Sequence, residues 1–548
     1  MHLGRETLGA ETWYAPVGPS AVRSPREPTA PRAVTEAEID EIVEGHAIST
    51  ARVIEAGFDG VELHAAHGYL GSQFLSAVTN VRDPGAAGDV TGDGALERRV
   101  GFLRRLLVAM RAAAPGRLLG VRLSVGGERE AGLDLAGLCA VLPHVRGLVD
   151  YVNLTVGVRT TYVRDMATEA PPLLADLPRL RTHLDVPLVA CQAFRDQADM
   201  EAALAAGADL VGMARPFIAD PDLPVKLLSG RASEIRPCVS CNEDCRAFDP
   251  CLLCSVNPDL APPGEVRRPA LPLRISKHMR GGGRIAIVGA GPAGLECALR
   301  LGGRRAVTIF EAGERIGGQL TIAAAAPHRR GWARMLDFYA RALERLDVET
   351  CLGHAATAAD LEAFDEVVIA TGAEEARPES PALCSSAAIA AGPDALAGAE
   401  SLLIVDDGFG WWLCIGAVEL GVAAGVSEIT VLTPGTGFAA AVPAESRVQL
   451  LERLGARRPR VIPLARVVAI AGDGVTLDGV PSRLGADAVI VVGERRPRAF
   501  DWIGDRPGVR AAGDCIVPRR VQHAVSEGCQ AAAEILQTAT LNSVQVVP

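Results

Sequence analysis

Short apolar runs alternate with longer amphipathic segments through the first part of the chain. Runs of four to eight apolar residues predict buried strands, and segments such as LERRVGFLRRLLVAMRAA have the hydrophobic spacing of helices. Strands and helices that alternate at roughly 30 residues per unit build parallel sheets, and several units in series most often form a (β/α) barrel. The five predicted strands lie in FDGVEL (58–63), LLGVRLSV (118–125), LVDYVNLTV (148–156), VPLVAC (186–191) and ADLVGMA (208–214).

Five strands are too few for a closed barrel. A (β/α) barrel has eight, so at about 30 residues per unit roughly ninety residues are missing ahead of the first complete strand. We therefore predict an α/β fold that begins with an incomplete TIM barrel over residues 1–231, and we expect the chain to be truncated at its start. An open five-strand sheet exposes strand edges and part of its core, which favours aggregation.

A second alternating pattern follows an irregular stretch. Residues 232–283 hold a group of cysteines and then a linker rich in Pro, Arg and Gly. A strand, turn and helix pattern opens at Arg284 with RIAIVGAGPAGLECALRL, and apolar strands follow at 365–373 and 401–408. The sequence therefore predicts a separate α/β region after the cysteine segment.

The composition disfavours several classes of protein. At about 150 residues per domain, 548 residues predict three or four domains, and 49% hydrophobic with 22% charged residues indicate a packed globular protein. The 66 Asp and Glu outnumber the 55 Lys and Arg, and the net charge of -11 disfavours nucleic acid as a partner. The sequence has no run of ~18 apolar residues and no apolar signal segment, so we expect a cytoplasmic protein without a membrane partner.

Thirteen cysteines in a cytoplasmic chain favour metal ligands over disulfides. Cys238, Cys241 and Cys245 form a C-x2-C-x3-C motif, a spacing that can hold one face of an iron–sulfur cluster. Cys251 and Cys254 are both candidates for the fourth ligand. The competing interpretation pairs Cys238 and Cys241 with Cys251 and Cys254 as a zinc site.

The turn GAGPAG lies between a predicted strand and a predicted helix, and its Gly289, Gly291 and Gly294 form G-x-G-x-x-G. The first two glycines let the backbone turn tightly and approach a pyrophosphate, the third lets helix and strand close together, and the helix N-terminus favours the phosphates. Glu311 ends the next strand, where a carboxylate can accept hydrogen bonds from a ribose. We predict a dinucleotide site here; a structural glycine turn is the alternative.

His64, His67 and Tyr69 directly follow a predicted barrel strand, in the run FDGVELHAAHGYLGSQFLS. Catalytic groups of (β/α) barrels lie at the carboxyl ends of the strands. Two histidines three residues apart are more often hydrogen-bonded structural residues than catalysts, so this run alone leaves both interpretations open.

The second region resembles the flavin reductases that bind two dinucleotides. ATGA and AAGD at the ends of later strands resemble motifs of that family, and GERIGGQL lies beside Glu311. The resemblance implies an FAD domain formed by residues 284–395 and 500–548. In that domain Glu311 and Gln319 would contact FAD, and Asp514 would hydrogen-bond its ribityl-pyrophosphate region.

The same resemblance implies a second nucleotide fold inserted at 396–499. This fold opens with LLIVDDGFGWWLCIGAVEL, where Gly408, Gly410 and Gly416 form only a loose fingerprint, and a glycine-containing turn is the alternative. The next strand ends ITVLTPG, with neither the acid expected for NAD nor an Arg for a 2′-phosphate. The choice between NADH and NADPH therefore stays open.

The barrel runs resemble the Old Yellow Enzyme family of FMN barrels. GFDGVELHAAHGYLGSQFLS, TNVRD, LERR and GVRLS occur in that family's order. The cysteines and the following regions narrow the resemblance to the long branch that includes 2,4-dienoyl-CoA reductase and trimethylamine dehydrogenase, and members associated with mycofactocin are similar too. The resemblance covers essentially the whole chain and implies FMN, a 4Fe–4S cluster, FAD and NAD(P)H. It favours Cys254, followed by SVNP, as the fourth cluster ligand.

The resemblance assigns catalytic roles to three barrel residues. His64 and His67 would donate hydrogen bonds to the carbonyl oxygen of a substrate. Tyr69 would give a proton to the α-carbon as FMN delivers hydride to the β-carbon. Two N–H donors stabilise a developing enolate, and a phenol supplies a proton that carbon cannot easily draw from bulk water in a closed pocket.

Further barrel residues would hold the flavin. Arg122 would lie by the N1/O2 edge of reduced, anionic FMN, and Gly212 with Arg215 would bind its phosphate after the last strand. Without the family, a salt bridge at the barrel rim is an equal interpretation of both arginines. The family usually has a Gly-Arg pair where this chain has Gln192 and Ala193, which places one phosphate contact in doubt.

The family's first barrel strands have no counterpart in this sequence. The initial run MHLGRET resembles the end of a third-strand motif. Flavin contacts from the earlier strands are therefore missing, and we expect the chain to retain FMN poorly.

Our leading hypothesis is an NAD(P)H-dependent flavin oxidoreductase that reduces an activated C=C bond in a small-molecule enone or enoyl thioester. Electrons would pass from NAD(P)H to FAD, then singly through the cluster to FMN. One alternative is an amine dehydrogenase of the trimethylamine dehydrogenase type, whose aromatic cage a chain with 4% aromatic residues supplies poorly. Another is an electron-transfer flavoprotein with a non-functional barrel. The substrate stays open, and the chain could form a homo-oligomer.

Overall fold

The computed structural model describes residues 4–5, 15–25, 27–82, 93–127, 132–159, 161–247, 252–260, 283–378, 380–479 and 482–544. The chain divides into two compact units. The first consists of residues 1–164 and 168–214, and the second of residues 165–167 and 215–548. No helix within the described stretches has the length and apolar character needed to cross a membrane.

The first unit alternates strands with helices, as the hydrophobic pattern predicts. Its strands are β1 (Val17–Gly18), β2 (Arg32–Ala33), β3 (Gly60–His64), β4 (Leu118–Val125), β5 (Tyr151–Val156), β6 (Leu188–Cys191) and β7 (Leu210–Gly212). Its helices are α1 (Glu36–Glu55), α2 (Leu70–Leu75), α3 (Asp93–Ala113), α4 (Leu135–Val141), α5 (Leu177–Arg181) and α6 (Gln197–Ala205). Strands β3 to β7 correspond to the five predicted strands, whereas the short parallel pair of β1 and β2 was not predicted.

Strands β3 to β7 form one parallel sheet in chain order, which is the strand order of a TIM barrel. One face of this sheet is apolar and packs in the core, with Val121, Leu123, Val152 and Leu154 fully buried. Side chains alternate between the two faces of a strand. The residues that alternate with this apolar set are mostly polar or small: Glu62, His64, Gly120, Arg122, Ser124, Tyr151, Asn153 and Thr155.

Local sequence defines where several helices of the first unit begin. At α1 the backbone N–H of Glu38 donates to Thr35 Oγ1 over 3.2 Å, and the backbone N–H of Thr35 donates to Glu38 Oε2 over 2.8 Å. The side chains of Asp134 and Asp196 accept from backbone N–H groups in the first turns of α4 and α6. Such caps stabilise a helix by about 1 kcal/mol each.

The second unit contains two parallel sheets of five strands each. Its strands are β8 (Arg284–Val288), β9 (Ala306–Phe310), β10 (Glu349–Cys351), β11 (Glu366–Ile369), β12 (Ala373–Glu375), β13 (Leu383–Cys384), β14 (Ser401–Val405), β15 (Glu428–Leu432), β16 (Arg460–Ile462), β17 (Val467–Ala471), β18 (Gly474–Leu477), β19 (Arg483–Gly485), β20 (Ala488–Val491), β21 (Arg495–Pro497) and β22 (Val509–Ala511). Its helices are α7 (Arg215–Ala219), α8 (Leu223–Leu228), α9 (Asp244–Ala247), α10 (Pro292–Leu301), α11 (Gln319–Ala325), α12 (Gly331–Arg345), α13 (Ala358–Leu361), α14 (Ser385–Ala391), α15 (Trp412–Ala423), α16 (Ala444–Leu454) and α17 (Val521–Val544).

The strands of the second parallel sheet are inserted in the chain between those of the first. The first has the order β10-β9-β8-β11-β22, and the second has the order β13-β20-β14-β15-β16. The chain leaves the first sheet after β11, builds the second, and returns to the first with β22. An antiparallel ribbon of β12 with β21 and an antiparallel set of β17 to β19 complete the strands. This arrangement is an α/β fold with two Rossmann-like regions.

A buried ion network joins the cysteine segment to α10. Arg236 and Glu296 are 2% and 0% exposed and form a two-pronged ion pair with N–O distances of 2.9 and 3.0 Å. Arg300 Nε and the Tyr339 hydroxyl donate to the same carboxylate over 2.8 and 2.9 Å. Arg236 Nη1 also donates to the backbone oxygen of Val256. Burial alone would raise the pKa of the Glu296 carboxyl, but the two arginines hold it below its ordinary value.

We expect Arg236→Met to lower the free energy of unfolding by about 3–5 kcal/mol, because it leaves part of a buried charge network uncompensated. Urea denaturation of the full chain, followed by circular dichroism, measures this loss. The matched control is Arg496→Met, which removes the exposed pair of Arg496 with Glu494 and should change stability by less than about 1 kcal/mol. Equal effects of the two substitutions would contradict a structural role for the buried network.

Candidate functional site

Polar side chains gather where β3, β4 and β5 lie side by side. His64 ends β3 and is paired in register with Arg122 on β4, which is paired in turn with Asn153 on β5. Asn153 Nδ2 donates to Glu62 Oε2 over 3.0 Å. These side chains share the polar face of the sheet, and the ends of β3 and β5 carry the loops with the remaining candidate residues.

Four aromatic rings form a cluster at this end of the sheet. The ring centroids of His64 and His67 are 5.1 Å apart, those of His64 and Tyr69 are 5.4 Å apart, and those of His67 and Tyr162 are 4.9 Å apart. The structure thus brings together the three residues predicted to be catalytic. Sequence reasoning missed Tyr162, because the loop after β5 has no periodic pattern; an aromatic residue following a barrel strand was the available signal.

The backbone around these rings is held firmly. Tyr69 is the N-cap of α2, and all six residues of that helix are buried. His67 has a φ of 60°, a region that favours glycine, and its backbone N–H donates to Ser124 Oγ over 3.1 Å. Its ring Nε2 lies 3.4 Å from Thr155 Oγ1. A non-glycine residue in this conformation is typical of functional sites.

The environment keeps the His67 ring uncharged. Burial lowers the pKa of His67 to about 3, and its electrostatic interactions with His64 and Arg122 add to the shift. A neutral imidazole carries one N–H donor and one acceptor nitrogen. His67 can therefore donate a hydrogen bond over the whole physiological pH range without changing charge.

This lowered pKa predicts acid sensitivity. The unfolded chain takes up a proton at His67 near its ordinary pKa of about 6.5, while the folded chain resists it until about 3, so stability is lost as pH falls below about 6.5. Between about pH 6.5 and 4.5 we expect His67 alone to cost about 2–3 kcal/mol. Urea denaturation at both pH values should show a smaller loss for His67→Asn than for the unmodified chain; an equal loss would assign the acid sensitivity to other groups.

Arg122 adds positive charge beside the rings. Its Nε is buried and has no hydrogen-bond partner within the described ranges. An unpaired buried donor is unfavourable, so this position fits a bound group that accepts hydrogen bonds and carries negative charge. The N1/O2 edge of reduced FMN is such a group, which supports the predicted role of Arg122.

The predicted phosphate region after β6 and β7 has backbone angles that favour glycine. Gln192 and Ala193 have φ values of 111° and 59°, both in the region that favours glycine. Neither residue is a glycine, and the phosphate contact expected at this pair stays in doubt. A Cβ at Gly212 would lie 2.2 Å from Cys191 Sγ, so a larger residue at that position would have to displace this buried side chain.

Arg215, the other predicted phosphate ligand, lies at the start of α7 in the second unit. Its guanidinium donates to the side-chain oxygen of Asn242 in the cysteine segment. Burial raises the pKa of the Cys245 thiol to about 11, and the charge of Arg215 opposes this rise. Arg215 thus contributes positive charge to the cysteine segment, and its role as a phosphate ligand stays a prediction.

The GAGPAG turn has the geometry that a dinucleotide requires. Gly289 has a φ of 106°, and a Cβ there would lie 2.3 Å from the backbone oxygen of Ala370. A Cβ at Gly294 would lie 2.0 Å from the backbone oxygen of Gly289, so helix and strand can close only around a glycine. No atom of the described residues lies within 4 Å of a Cβ placed at Gly291. That open position leaves room for a pyrophosphate.

Two residues near this turn bear on FAD binding. Glu311 accepts hydrogen bonds from the backbone N–H groups of Ala290 and Gly313 over 2.7 and 2.8 Å, so its carboxylate braces the turn. Thr371 Oγ1, in the ATGA motif, is buried without a hydrogen-bond partner among the described residues. A Cβ at Gly289 would lie 3.1 Å from the backbone nitrogen of Thr371, so this hydroxyl belongs to a residue next to the glycine turn, where it fits a bound FAD. The motif was noted in the sequence, but Thr371 itself was not predicted.

Gln319 and Asp514 are both tied to neighbouring groups. Gln319 Nε2 donates to the backbone oxygen of Ala373 over 3.2 Å. Asp514 accepts from the guanidinium of Arg495 and, over 2.9 Å, from the backbone N–H of Arg519. Their contacts with FAD stay predictions.

The second fingerprint differs from the first in length and charge. The loop between β14 and α15 covers residues 406–411, whereas the first turn covers only 289–291. Asp406 is 4% exposed and accepts from Thr433 Oγ1 over 2.7 Å, and burial raises the pKa of the neighbouring Asp407 carboxyl. Gly416 lies inside α15. These residues do not reproduce the phosphate cradle of the first fold, and we assign them no step of a reaction.

The cysteine segment gathers its thiols in the second unit. Cys238, Cys241, Cys245 and Cys254 are free thiols. Burial raises the pKa of the Cys254 thiol to about 12, with a further rise from Cys238 and Cys245, which shows that these three lie near one another. Within the described ranges no three His, Cys, Asp or Glu side chains are close enough to hold a single metal ion. Cys251, which the zinc interpretation requires, lies outside the described residues.

The donor set of this segment fits an iron–sulfur cluster. Buried thiols with raised pKa values become thiolates when a cation binds them, and iron supplies that charge. The four cysteines retain the order and spacing of the predicted ligands.

Comparison with known proteins identifies the family of the chain. The model described as "NADH:flavin oxidoreductase / NADH oxidase family" matches residues 1–234, and the model described as "Pyridine nucleotide-disulphide oxidoreductase" matches residues 283–499. A metal reductase of Desulforamulus reducens is 30% identical over 578 residues, which cover 96% of this chain and 84% of that protein. The chain belongs to the NADH:flavin oxidoreductase / NADH oxidase family. This result confirms the family expected from the sequence.

A second relative of this flavin oxidoreductase is the multifunctional alkene reductase/demethylase OYE of Caballeronia cordobensis. It is 32% identical over 387 residues, which cover 68% of this chain and 54% of that protein. The chain thus spans about half the length of this relative.

Two solved structures are similar over nearly the whole chain. A 2-naphthoyl-CoA reductase is 25% identical with a TM-score of 0.78, covering 95% of this chain and 80% of its own. The histamine dehydrogenase from Rhizobium sp. 4-9 is 25% identical with a TM-score of 0.81, covering 97% of this chain and 82% of its own. The barrel and Rossmann-like fold class predicted from the sequence is confirmed.

The family also establishes the cofactors. The two domains are those that bind FMN and, in the second region, FAD with NAD(P)H, and 2,4-dienoyl-CoA reductase-like relatives carry a 4Fe–4S cluster. The flavin oxidoreductase is accordingly an enzyme, and the cofactors predicted from the sequence are confirmed.

Proposed function

We propose that this flavin oxidoreductase reduces an activated C=C bond in a small-molecule enone or enoyl thioester. The observation that carries the proposal is the cluster of His64, His67 and Tyr69 beside Arg122, on the polar face of a parallel sheet. Similarity to proteins named alkene reductase and 2-naphthoyl-CoA reductase supports the same chemistry. When bound, NAD(P)H and FAD supply electron pairs, the cluster passes single electrons, and FMN supplies hydride.

The two histidines act on the substrate carbonyl. They donate hydrogen bonds to the carbonyl oxygen, which draws electron density from the C=C bond and stabilises the enolate as charge develops. A single donor of this kind contributes roughly 10²–10³ in rate. His67 is suited to the task because it stays neutral, so its hydrogen bond does not depend on pH.

Tyr69 acts on the α-carbon of the substrate, and Arg122 acts where negative charge develops. The Tyr69 hydroxyl gives its proton to the α-carbon of the enolate and later regains one from solvent. Arg122 holds a fixed positive charge where electron density builds up, because its unpaired Nε needs an acceptor. Together these residues lower the energy of a charge-separated transition state.

An anaerobic assay with NADH, NADPH and 2-cyclohexen-1-one tests the proposal. We expect nicotinamide oxidation coupled to formation of the saturated ketone, and in D2O one deuterium at the α-carbon and one at the β-carbon, because the cluster passes electrons without hydrogen. The same preparation is assayed with histamine or trimethylamine and a ferrocenium acceptor. Oxidation of the amine without reduction of the enone would overturn the proposal, and nicotinamide oxidation without either reaction would indicate a non-functional barrel.

Amine oxidation is the second candidate function. The rings of Tyr69 and Tyr162 flank the two histidines, and aromatic faces attract alkylammonium groups. The structural similarity to a histamine dehydrogenase favours the same alternative. The enone stays the leading candidate because His67, with Arg122 close by, can supply an N–H donor and positive charge to a carbonyl oxygen that becomes negative, whereas the charge of Arg122 would repel an alkylammonium group.

The proposal includes a cytoplasmic location and neither a nucleic-acid nor a membrane partner. The cysteines of the described residues are free thiols, as expected in a reducing compartment. The acidic net charge of -11 supports a small-molecule substrate over nucleic acid.

A further inference from the structure

The guanidinium of Arg329 is buried and has few hydrogen-bond partners among the described residues. It lies just ahead of α12 in the second unit and is 5% exposed. Its Nε and Nη1 are buried and have no hydrogen-bond partner in the described part of the chain. Its Nη2 is 3.7 Å from Glu243 Oε1, too far for a good hydrogen bond. A buried guanidinium in this state is strongly unfavourable unless negative charge compensates it.

The backbone around Arg329 is packed directly on the cysteine segment. A Cβ at Gly331 would lie 2.5 Å from the backbone oxygen of Val239, so the two backbones are in contact. Val239 is two residues ahead of Cys241. Trp332 Nε1, in the same turn of chain, is a third buried donor without a partner in the described ranges. Three unpaired N–H donors therefore lie in the segment that covers the cysteines.

The negative groups near Arg329 are largely engaged elsewhere. Burial lowers the pKa of Arg329, and the acidic groups that oppose this shift are Glu243, Cys241 when it is a thiolate, Glu419 and Asp165. Arg453 lies 2.6 Å from the Glu419 carboxylate and 3.7 Å from that of Asp165. Those two carboxylates are therefore shared with a second arginine.

The indole of Trp412 fixes the position of the cation. The Arg329 guanidinium lies 3.8 Å from the centroid of this ring, and Trp412 Nε1 donates to Glu243 Oε1 over 2.9 Å. The Glu243 carboxylate therefore accepts a hydrogen bond from the indole and also lies close to the Arg329 guanidinium. Stacking holds a planar guanidinium in one place while leaving its in-plane N–H groups available.

We propose that Arg329 holds a fixed positive charge beside the thiolate of Cys241 and thereby raises the reduction potential of the iron–sulfur cluster. The inference rests on the cluster of the proposed function. One-electron reduction adds one negative charge to the cluster and its thiolates, and a nearby buried cation favours the reduced form. N–H donors directed at sulfur act in the same sense. Arg329 is thus a positioning residue for electron transfer from FAD and takes no part in the chemistry at carbon.

The test is a redox titration of the holoenzyme, with the cluster followed by EPR. Arg329→Gln removes the charge, Arg329→Lys keeps it, and Arg483→Gln removes an exposed arginine as the control. We expect the equilibrium constant for cluster reduction to fall about tenfold in Arg329→Gln, a shift of about 59 mV toward lower potential. Arg329→Lys should lie closer to the unmodified enzyme, and Arg483→Gln should be unchanged.

A second variant keeps the proposal testable if Arg329→Gln loses its iron. Glu243→Gln removes the carboxylate that partly neutralises Arg329, so the cluster potential should rise. An unchanged potential in Arg329→Gln with full iron content would overturn the proposal, as would an unchanged or lowered potential in Glu243→Gln. Absence of a reducible cluster from the unmodified enzyme would instead remove the electron route of the proposed function. A normal cluster without enone reduction would leave the result for Arg329 standing.

Discussion

Tyr69→Phe should lower kcat for enone reduction by about 10²–10⁴-fold, because we propose the phenol as the proton donor to the α-carbon. The substitution keeps the aromatic ring, whose centroid lies 5.4 Å from that of His64, and Tyr69 makes no side-chain hydrogen bond to cap α2, so the fold and substrate binding should be preserved. Reduction of the flavins and the cluster by NAD(P)H should proceed at the normal rate. Stopped-flow spectroscopy separates the two halves of the reaction: flavin reduction stays fast and flavin reoxidation by the enone becomes slow.

Tyr162→Phe is the matched control for this prediction. Its ring lies beside His67 in the same cluster, but no proton transfer is assigned to its hydroxyl. We expect it to retain most of the activity. Similar losses in both variants would indicate that neither phenol is the specific proton donor. An unimpaired Tyr69→Phe enzyme would assign protonation to solvent.

Gly291→Ala should abolish or greatly weaken FAD binding without unfolding the chain. No atom of the described residues lies within 4 Å of the added Cβ, and the residue has a φ of -78°, which alanine adopts freely. Only a ligand that approaches the backbone at this point would meet the methyl group. We expect the FAD content of purified protein to fall at least about tenfold, which corresponds to a loss of about 1.4 kcal/mol in binding free energy.

Gly437→Ala is the control, because it also has open space around the added Cβ and lies in the same unit. Circular dichroism and the melting temperature should match the unmodified chain for both variants, and FAD content should differ. Normal FAD content in Gly291→Ala would show that the pyrophosphate does not pass over this glycine. In that case the dinucleotide site would have to be sought elsewhere on the sheet.

Periodic features of the sequence predicted most of the architecture. Apolar runs gave the five barrel strands, and the G-x-G-x-x-G run gave a strand, a tight turn and a helix in the expected places. These predictions succeed because the spacing of apolar residues and the steric freedom of glycine act over a few neighbouring residues. The inserted second sheet also follows the expected order, although β22, which returns to the first sheet, is a short strand with a weak pattern.

The residues that sequence reasoning missed depend on contacts between distant segments. Tyr162 lies almost a hundred positions after His67 along the chain, and Thr371 is one of many threonines until its buried hydroxyl is found without a partner. The ion pair of Arg236 and Glu296 cannot be recognised from the sequence, because the two residues are sixty positions apart.

The resemblance of short contiguous runs to a known family was enough to predict the family, its cofactors and the three residues around the barrel's candidate active site. Only the tertiary structure shows which polar atoms are buried without partners among the described residues, as at Arg122, Thr371 and Arg329. Burial and hydrogen-bond satisfaction arise from packing between segments far apart in the chain, so no local pattern can encode them.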